Sequence, residues 1–404
     1  MNGFSYLPQL PLPANPLILF GLLLLAGVIG GEVVRRVLAL PRIVGYALTG
    51  LVLGASGLNV LDAELVAEAW IFADIALGLI LFELGRRLDF NWLRSDPWLA
   101  ATGVLECTLT FAFLYFVLTY LGVTPLHAAV AAAIGIATSP AVVVVVAQEL
   151  KADGQVTERA LNLTAINSVV AFVVVTMLLA WIHHEYRAGW MVAVLHPVYL
   201  LAGAVVLGYL SSVSAIVLAR WLGKNESGHL VIALAVIVVT IGAARMLELP
   251  ALLALLAFGV LSKNLDQRHD LMSVDVARVG QLFVVVLFVL GGASLDVSVL
   301  LSGGTLALVY VLARFAGKSL GVMSLAWLSG VRRGSAGLIC LALTPMSGLA
   351  IAMVQSTTRL YAGFGTELVT LVLSAVLIME LVGPVLVQFA LKRAGEAMTE
   401  EAKQ

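Results

Sequence analysis

Two stretches of this chain combine oxygen ligands with a helix break. In Ala137-Thr138-Ser139-Pro140, the proline has no N–H to donate and its ring crowds the carbonyl of Ile136, so a helix running through it must open there. Backbone groups freed at membrane depth are tolerated where they line a ligand site. The hydroxyls of Thr138 and Ser139, with the amide and hydroxyl of Asn167-Ser168 on the following apolar run, are oxygen donors of the kind a hard cation accepts. A second proline-interrupted stretch, Thr344-Pro345-Met346-Ser347-Gly348, adds Thr344 and Ser347. Arg314 and Lys318 stand one helical turn apart inside another apolar run, so they share a face. Two cations at membrane depth are costly enough to imply function or ion pairing. The acids at comparable depth are Glu106, Asp74 and Glu380, candidates for carrying protons or balancing those cations, and an Arg314–Glu380 pair is the expected arrangement. Lys318 could itself carry a proton. Glu83, beside Arg86 and Arg87, reads as structural.

The elements that position these residues must be membrane helices. Of 404 residues, 61% are hydrophobic and only 12% charged, which excludes a single water-soluble core and indicates an all-α polytopic membrane protein. The net charge of −1 leaves no basic stripe for nucleic acid. Cys107 and Cys340 lie in apolar runs and read as buried reduced thiols. There is no Ser/His/Asp grouping, phosphate loop or metal-ligand spacing, so neither an enzyme nor a cofactor is expected.

Apolar runs long enough for a hydrocarbon layer of about 30 Å predict thirteen spans between about residues 17 and 391. With loops assigned to alternating sides, 18 of the 23 Lys and Arg residues fall on one side and only Arg187, Arg245 and Arg359 on the other. That bias puts the N-terminus outside and the C-terminus in the cytoplasm. The two cations left over are Arg314 and Lys318. Spans one to six and eight to thirteen form two sets of six, the second inverted in the membrane, with span seven between them. In this register the fifth span, broken at Thr138-Ser139-Pro140, corresponds to the twelfth, broken at Thr344-Pro345, and the two discontinuous helices are expected to cross near the midplane.

Leu40-Pro41-Arg42-Ile43-Val44-Gly45-Tyr46, Thr49-Gly50-Leu51-Val52-Leu53-Gly54, Leu81-Phe82-Glu83-Leu84-Gly85-Arg86-Arg87-Leu88-Asp89 and Phe288-Val289-Leu290-Gly291-Gly292-Ala293-Ser294-Leu295-Asp296 occur in that order. With them the chain, from about residue 17 to 392, resembles the monovalent cation:proton antiporters, in particular their Kef-like branch and the sodium–proton exchanger-like membrane domain. The resemblance implies a single transport domain over 1–392 in a plasma (inner) membrane, a short cytoplasmic tail at 393–404 and a homodimer. It also implies an elevator in which helices of about 98–182 and 300–391 move against a scaffold of about 17–84 and 193–294. In that family an Asn-Asp or Asp-Asp pair after the first crossed helix binds the cation and exchanges it for protons. Here Asn167 matches the first member and Ser168 stands in place of the aspartate.

Neither side chain titrates near neutral pH, so a proton carrier has to be found elsewhere. Three readings follow. The first is Na⁺ or K⁺/proton antiport, with the ion at Thr138, Ser139, Asn167 and Ser168 and the proton on Glu106, Asp74 or Lys318. The second is exchange of an anion or carboxylate-bearing solute at Arg314 and Lys318. The third is a homologue that does not transport, or only regulates or leaks.

Overall fold

A computed structural model describes residues 16–61, 63–90, 94, 96–186, 190–223, 226–266, 276–360 and 365–398. The chain is all-α. Its helices are α1 Pro16–Leu38, α2 Arg42–Leu53, α3 Ala63–Arg87, α4 Pro97–Tyr120, α5 Pro125–Ile136, α6 Pro140–Glu149, α7 Gln155–Tyr186, α8 Trp190–Leu222, α9 Glu226–Met246, α10 Ala251–Leu265, α11 Val276–Ala293, α12 Val297–Leu325, α13 Arg333–Ala342, α14 Gly348–Leu360 and α15 Gly365–Arg393. Among the described residues nine segments, the broken α5–α6 unit counted as one, are long and apolar enough to cross a membrane. Four shorter apolar helices accompany them: Arg42–Leu53, Ala251–Leu265, Gly280–Ala293 and Arg333–Ala342.

Helix boundaries follow local chemistry. Proline opens α4, α5 and α6, where the missing N–H is no loss. Asp96 caps α4 by accepting from the Leu99 N–H at 3.2 Å, and Asp296 caps α12 by accepting from the Ser298 N–H at 2.8 Å. Helix α2 is short for a membrane span, because it closes at Leu53 on a Gly54 N–H bonded to the Gly50 carbonyl at 2.7 Å. Residues 54–61 form a turn that Ser56 ties to the Leu295 carbonyl at 2.8 Å.

Two turns in the chain are copies of one another. Ala39 (φ 54) precedes Leu40-Pro41 at the start of α2, and Glu248 (φ 53) precedes Leu249-Pro250 at the start of α10. Neither is glycine, although both occupy the left-handed region. The helices that follow are used reciprocally: α2 packs on α11, and α10 packs on α3. A Cβ at Gly50 would overlap the Val289 carbonyl oxygen of α11, and one at Gly259 would overlap the Phe82 carbonyl oxygen of α3. Backbone-to-backbone approach at these points depends on the missing side chain. Reciprocal packing of this form, together with the crossing described below, is the arrangement of an inverted-repeat, elevator-like membrane fold.

Most of the buried apolar side chains fall in two clusters. One joins α3, α6, α10, α11 and α13, and the other joins α5, α12, α14 and α15. The two broken helices cross between them.

Candidate functional site

Helix α5 ends at Ile136, the extended link Ala137-Thr138-Ser139 follows, and α6 begins at Pro140 with Ser139 as its cap, accepting from the Val142 N–H at 3.3 Å. Its counterpart α13 ends at Ala342, and residues 343–347 lead into α14 at Gly348. The two links are hydrogen-bonded to each other. The Ser139 N–H donates to the Pro345 carbonyl at 2.9 Å, the Thr138 hydroxyl donates to the Leu343 carbonyl at 3.1 Å, and the Ser139 and Ser347 hydroxyls bond directly. Thr138, Ser139, Thr344 and Ser347 are all buried.

A polar stripe on α12 serves the crossing. Tyr310, Arg314 and Lys318 follow at one-turn intervals and meet the carbonyls at the end of α5. The Tyr310 hydroxyl donates to the Ala131 carbonyl at 2.8 Å. Arg314 donates from Nε to the Gly135 carbonyl at 2.8 Å, from Nη1 to Thr344 at 2.5 Å, and from Nη2 to Ala137 at 2.6 Å and Pro345 at 3.4 Å. One guanidinium thereby joins both breaks. Helix C-termini carry partial negative charge and orphan carbonyls, which a fixed cation satisfies without a carboxylate. Lys318 completes the set, donating to the Ile136 carbonyl at 2.9 Å and to Glu106 Oε1 at 2.5 Å. Its pairing depends on Gly317 and Gly321, whose bare Cα atoms let α12 lie against the backbone of Thr110 and Glu106 on α4.

The expected Arg314–Glu380 pair does not form. Carbonyls accept from all three guanidinium nitrogens, and Glu380 projects from α15 beside Gly291 of α11, 3% exposed, with Oε2 unpartnered among the described residues. The buried ion pair is Lys318–Glu106, with both side chains fully buried.

Asn167, on α7, is held on both ends of its amide. Its Nδ2 donates to the Thr138 hydroxyl at 3.2 Å, and its Oδ1 accepts from the Cys107 thiol at 3.2 Å. The same sulfur lies 3.6 Å from Glu106 Oε2, so Cys107 links the Asn167 amide to the acid of the ion pair. Ser168 is buried but turns its hydroxyl to the Thr164 carbonyl of its own helix at 2.8 Å. Thr344 likewise bonds the Leu341 carbonyl through its hydroxyl. Thr138, Ser139, Asn167 and Ser347 therefore assemble at the crossing, while the hydroxyls of Ser168 and Thr344 satisfy local backbone. Asp74 stands apart, ion-paired with Arg245 of α9 in a cavity of about 230 Å³ that is also lined by Trp70 and Gln355 and reaches Gly348 at the start of α14.

Two residues of this machinery have a role the sequence reading did not assign. Cys107 reads there only as a buried reduced thiol, with its adjacency to Glu106 as the one further signal. Glu396, in the tail after α15, had none: its carboxylate accepts from the Val156 N–H at 2.7 Å, the Thr157 N–H at 2.8 Å and the Thr157 hydroxyl at 2.7 Å, capping α7, the helix that bears Asn167. The tail expected over 393–404 is described through Met398. Among the described residues no group of three or more His, Cys, Asp and Glu could hold a metal.

The chain matches the family model "Sodium/hydrogen exchanger, transmembrane" over residues 20–393. It is similar to the high-affinity Na⁺/H⁺ antiporter NhaS3 of Synechocystis sp., 26% identical over 329 residues that cover 70% of each chain. A shorter match to the Na⁺/H⁺ antiporter NhaS5 of the same organism is 38% identical over 104 residues, which is 25% of this chain and 14% of that one. Among solved structures it shares the fold of the sodium proton antiporter MjNhaP1 of Methanocaldococcus jannaschii at pH 8, with a TM-score of 0.69 and 18% identity over 94% of this chain and 98% of that one. A second structure of that antiporter, an electron-microscopy map, gives a TM-score of 0.70 at 16% identity, over 96% of this chain and all of that one. By the extent of the family match, this chain is a member of the transmembrane sodium/hydrogen exchanger family, a transporter homologue and not an enzyme.

Proposed function

We propose that the chain exchanges a monovalent cation, Na⁺ or K⁺, for protons across the plasma (inner) membrane by elevator-like alternating access. The observation behind this reading is the buried cluster of neutral oxygen donors at the crossing, where Thr138, Ser139, Asn167 and Ser347 converge between two half-helices. Rotation of the Ser168 hydroxyl away from Thr164 would add a further ligand one residue from Asn167. Asn167-Ser168 takes the place of the acid-bearing pair, so the proton has to reside elsewhere.

The topology that suits this function has thirteen spans, an N-terminus outside and a C-terminal tail in the cytoplasm. Helices α4–α7 and α12–α15 form the moving unit, and α1–α3 with α8–α11 form the scaffold of a homodimer. The alternative of an anion substrate would need free donors on Arg314 and Lys318. Those donors are engaged by five backbone carbonyls and by Glu106, which favours a structural role for both cations.

The test uses purified protein in liposomes loaded with a pH-sensitive dye and a preset pH gradient. Addition of Na⁺, K⁺ or Li⁺ outside is expected to dissipate the gradient, and silence with all three from folded protein would reject antiport. Anion-dependent flux that ignores external cations would favour the alternative.

A further inference from the structure

We propose that Glu380 is the group that takes up and releases the proton exchanged for the cation. This inference rests on the antiport reading and names the proton carrier that the Asn167-Ser168 sequence leaves open. Glu106 has the Lys318 ammonium at 2.5 Å, and Asp74 has the Arg245 guanidinium. Glu380 is only 3% exposed, and among the described residues it has no ion pair and its Oε2 has no hydrogen-bond partner.

The elements around Glu380 bring no compensating charge among the described residues. From α12, Arg314 is spent on carbonyls and Lys318 on Glu106 and Ile136. From α2 and α6, the Arg42 backbone N–H donates to the Glu149 carboxylate at 3.2 Å, and the Arg42 guanidinium pairs with Glu32 at 3.3 Å and lies 3.9 Å from Glu149. From α5, His127 bonds Thr124, and Arg333 of α13 is exposed. On helix α11, Gly291 faces the carboxyl, and a Cβ built there would lie 3.1 Å from Oε1. A lone carboxylate in such a site is expensive, and a proton removes the charge.

Position couples this acid to the crossing. One turn beyond Glu380, Gly383 of α15 packs on Pro345 in the second break. Displacement of the crossing against α11 therefore carries the carboxyl off Gly291. In the proton-loaded form the carboxyl is neutral and the crossing holds no cation. In the cation-loaded form the O–H bond has broken, the proton has gone to water on the open side, and the carboxylate balances the incoming charge. The interior has the same net charge in both forms, which removes the cost of burying a cation among the neutral donors of the crossing.

Liposomes containing wild-type protein, Glu380→Gln and Glu380→Asp separate the possibilities. Two modes are measured, proton-driven ²²Na⁺ or ⁸⁶Rb⁺ uptake and isotope exchange at equal pH and equal cation on both sides. Glu380→Gln is expected to lose proton-driven uptake to the level of empty liposomes and, because the carboxylate that balances the cation is gone, to weaken isotope exchange and make what remains of it independent of pH, and Glu380→Asp to restore uptake with a displaced pH profile. If folded Glu380→Gln keeps full coupling, or exchanges isotope with the wild-type affinity and pH profile, the inference is overturned and antiport stands. If Glu380→Gln does not fold, Glu380→Asp decides alone, an unchanged pH profile overturning the inference. Absence of both modes in wild-type protein rejects the antiport reading itself.

Discussion

Removal of either partner of the Lys318–Glu106 pair should cost far more than removal of both. Glu106→Gln leaves an ammonium, and Lys318→Met a carboxylate, with no opposite charge in a site where both side chains are fully buried. Breaking a buried pair from one side typically costs about 3–5 kcal/mol, so independent effects would sum to about 6–10 kcal/mol. In the double variant neither charge remains. The loss left over is the Ile136 carbonyl, which Lys318 served at 2.9 Å, together with the weaker contacts of Thr110 and Cys107 to Glu106. An unsatisfied buried carbonyl costs about 1–3 kcal/mol, which places the coupling energy of the cycle at no less than about 3 kcal/mol. The assay is equilibrium unfolding of the four proteins in mixed micelles, followed by helix content. A double variant as unstable as the sum of its singles would refute the pairing. The matching cycle on Arg314→Lys and Glu380→Gln should be additive within about 0.5 kcal/mol, because these residues share no partner.

Other expectations follow from single contacts. Glu396→Ala removes three charge-assisted acceptor contacts from the start of α7 and should cost about 1–3 kcal/mol in the same unfolding assay, with Glu396→Gln intermediate. Gly50→Ala drives a Cβ into the Val289 carbonyl of α11, and since backbone rather than a pliant side chain must yield, destabilisation of at least about 1–3 kcal/mol is expected. Ser168→Asp supplies a full negative charge next to Asn167. It should tighten cation binding and make it steeply pH-dependent, measured by isotope binding in detergent, and unchanged affinity would mean that position 168 does not face the ion.

What could be read from the chain and what could not divide along physical lines. Pro140 and Pro345 mark the breaks because a proline's effect on its own helix is local and unconditional. Arg314 and Lys318 stood out as cations placed where none is tolerated without a role. Pair choice was not legible. Glu106 and Glu380 are chemically identical candidates, and Lys318 reaches Glu106 only because Gly317 and Gly321 let α12 and α4 touch backbone to backbone. Rotamers were hidden for a similar reason: Ser168 can offer its hydroxyl to a ligand or to the Thr164 carbonyl, and spacing does not distinguish the two. The partners of Asp74 and Glu396 come from distant segments, Arg245 of α9 and the start of α7. The repeated Leu-Pro turns at 40–41 and 249–250 were present in the sequence, and shared backbone geometry at Ala39 and Glu248 makes their kinship visible.

The most direct test of cation/proton exchange by this chain is a count of protons released when cation binds. Purified wild-type protein in weakly buffered detergent is titrated with NaCl or KCl against choline chloride, with bound isotope and solution pH followed together. Antiport predicts proton release that saturates with bound Na⁺ or K⁺ and is absent with choline. Saturable cation binding without proton release, or no cation binding by folded protein, would contradict it.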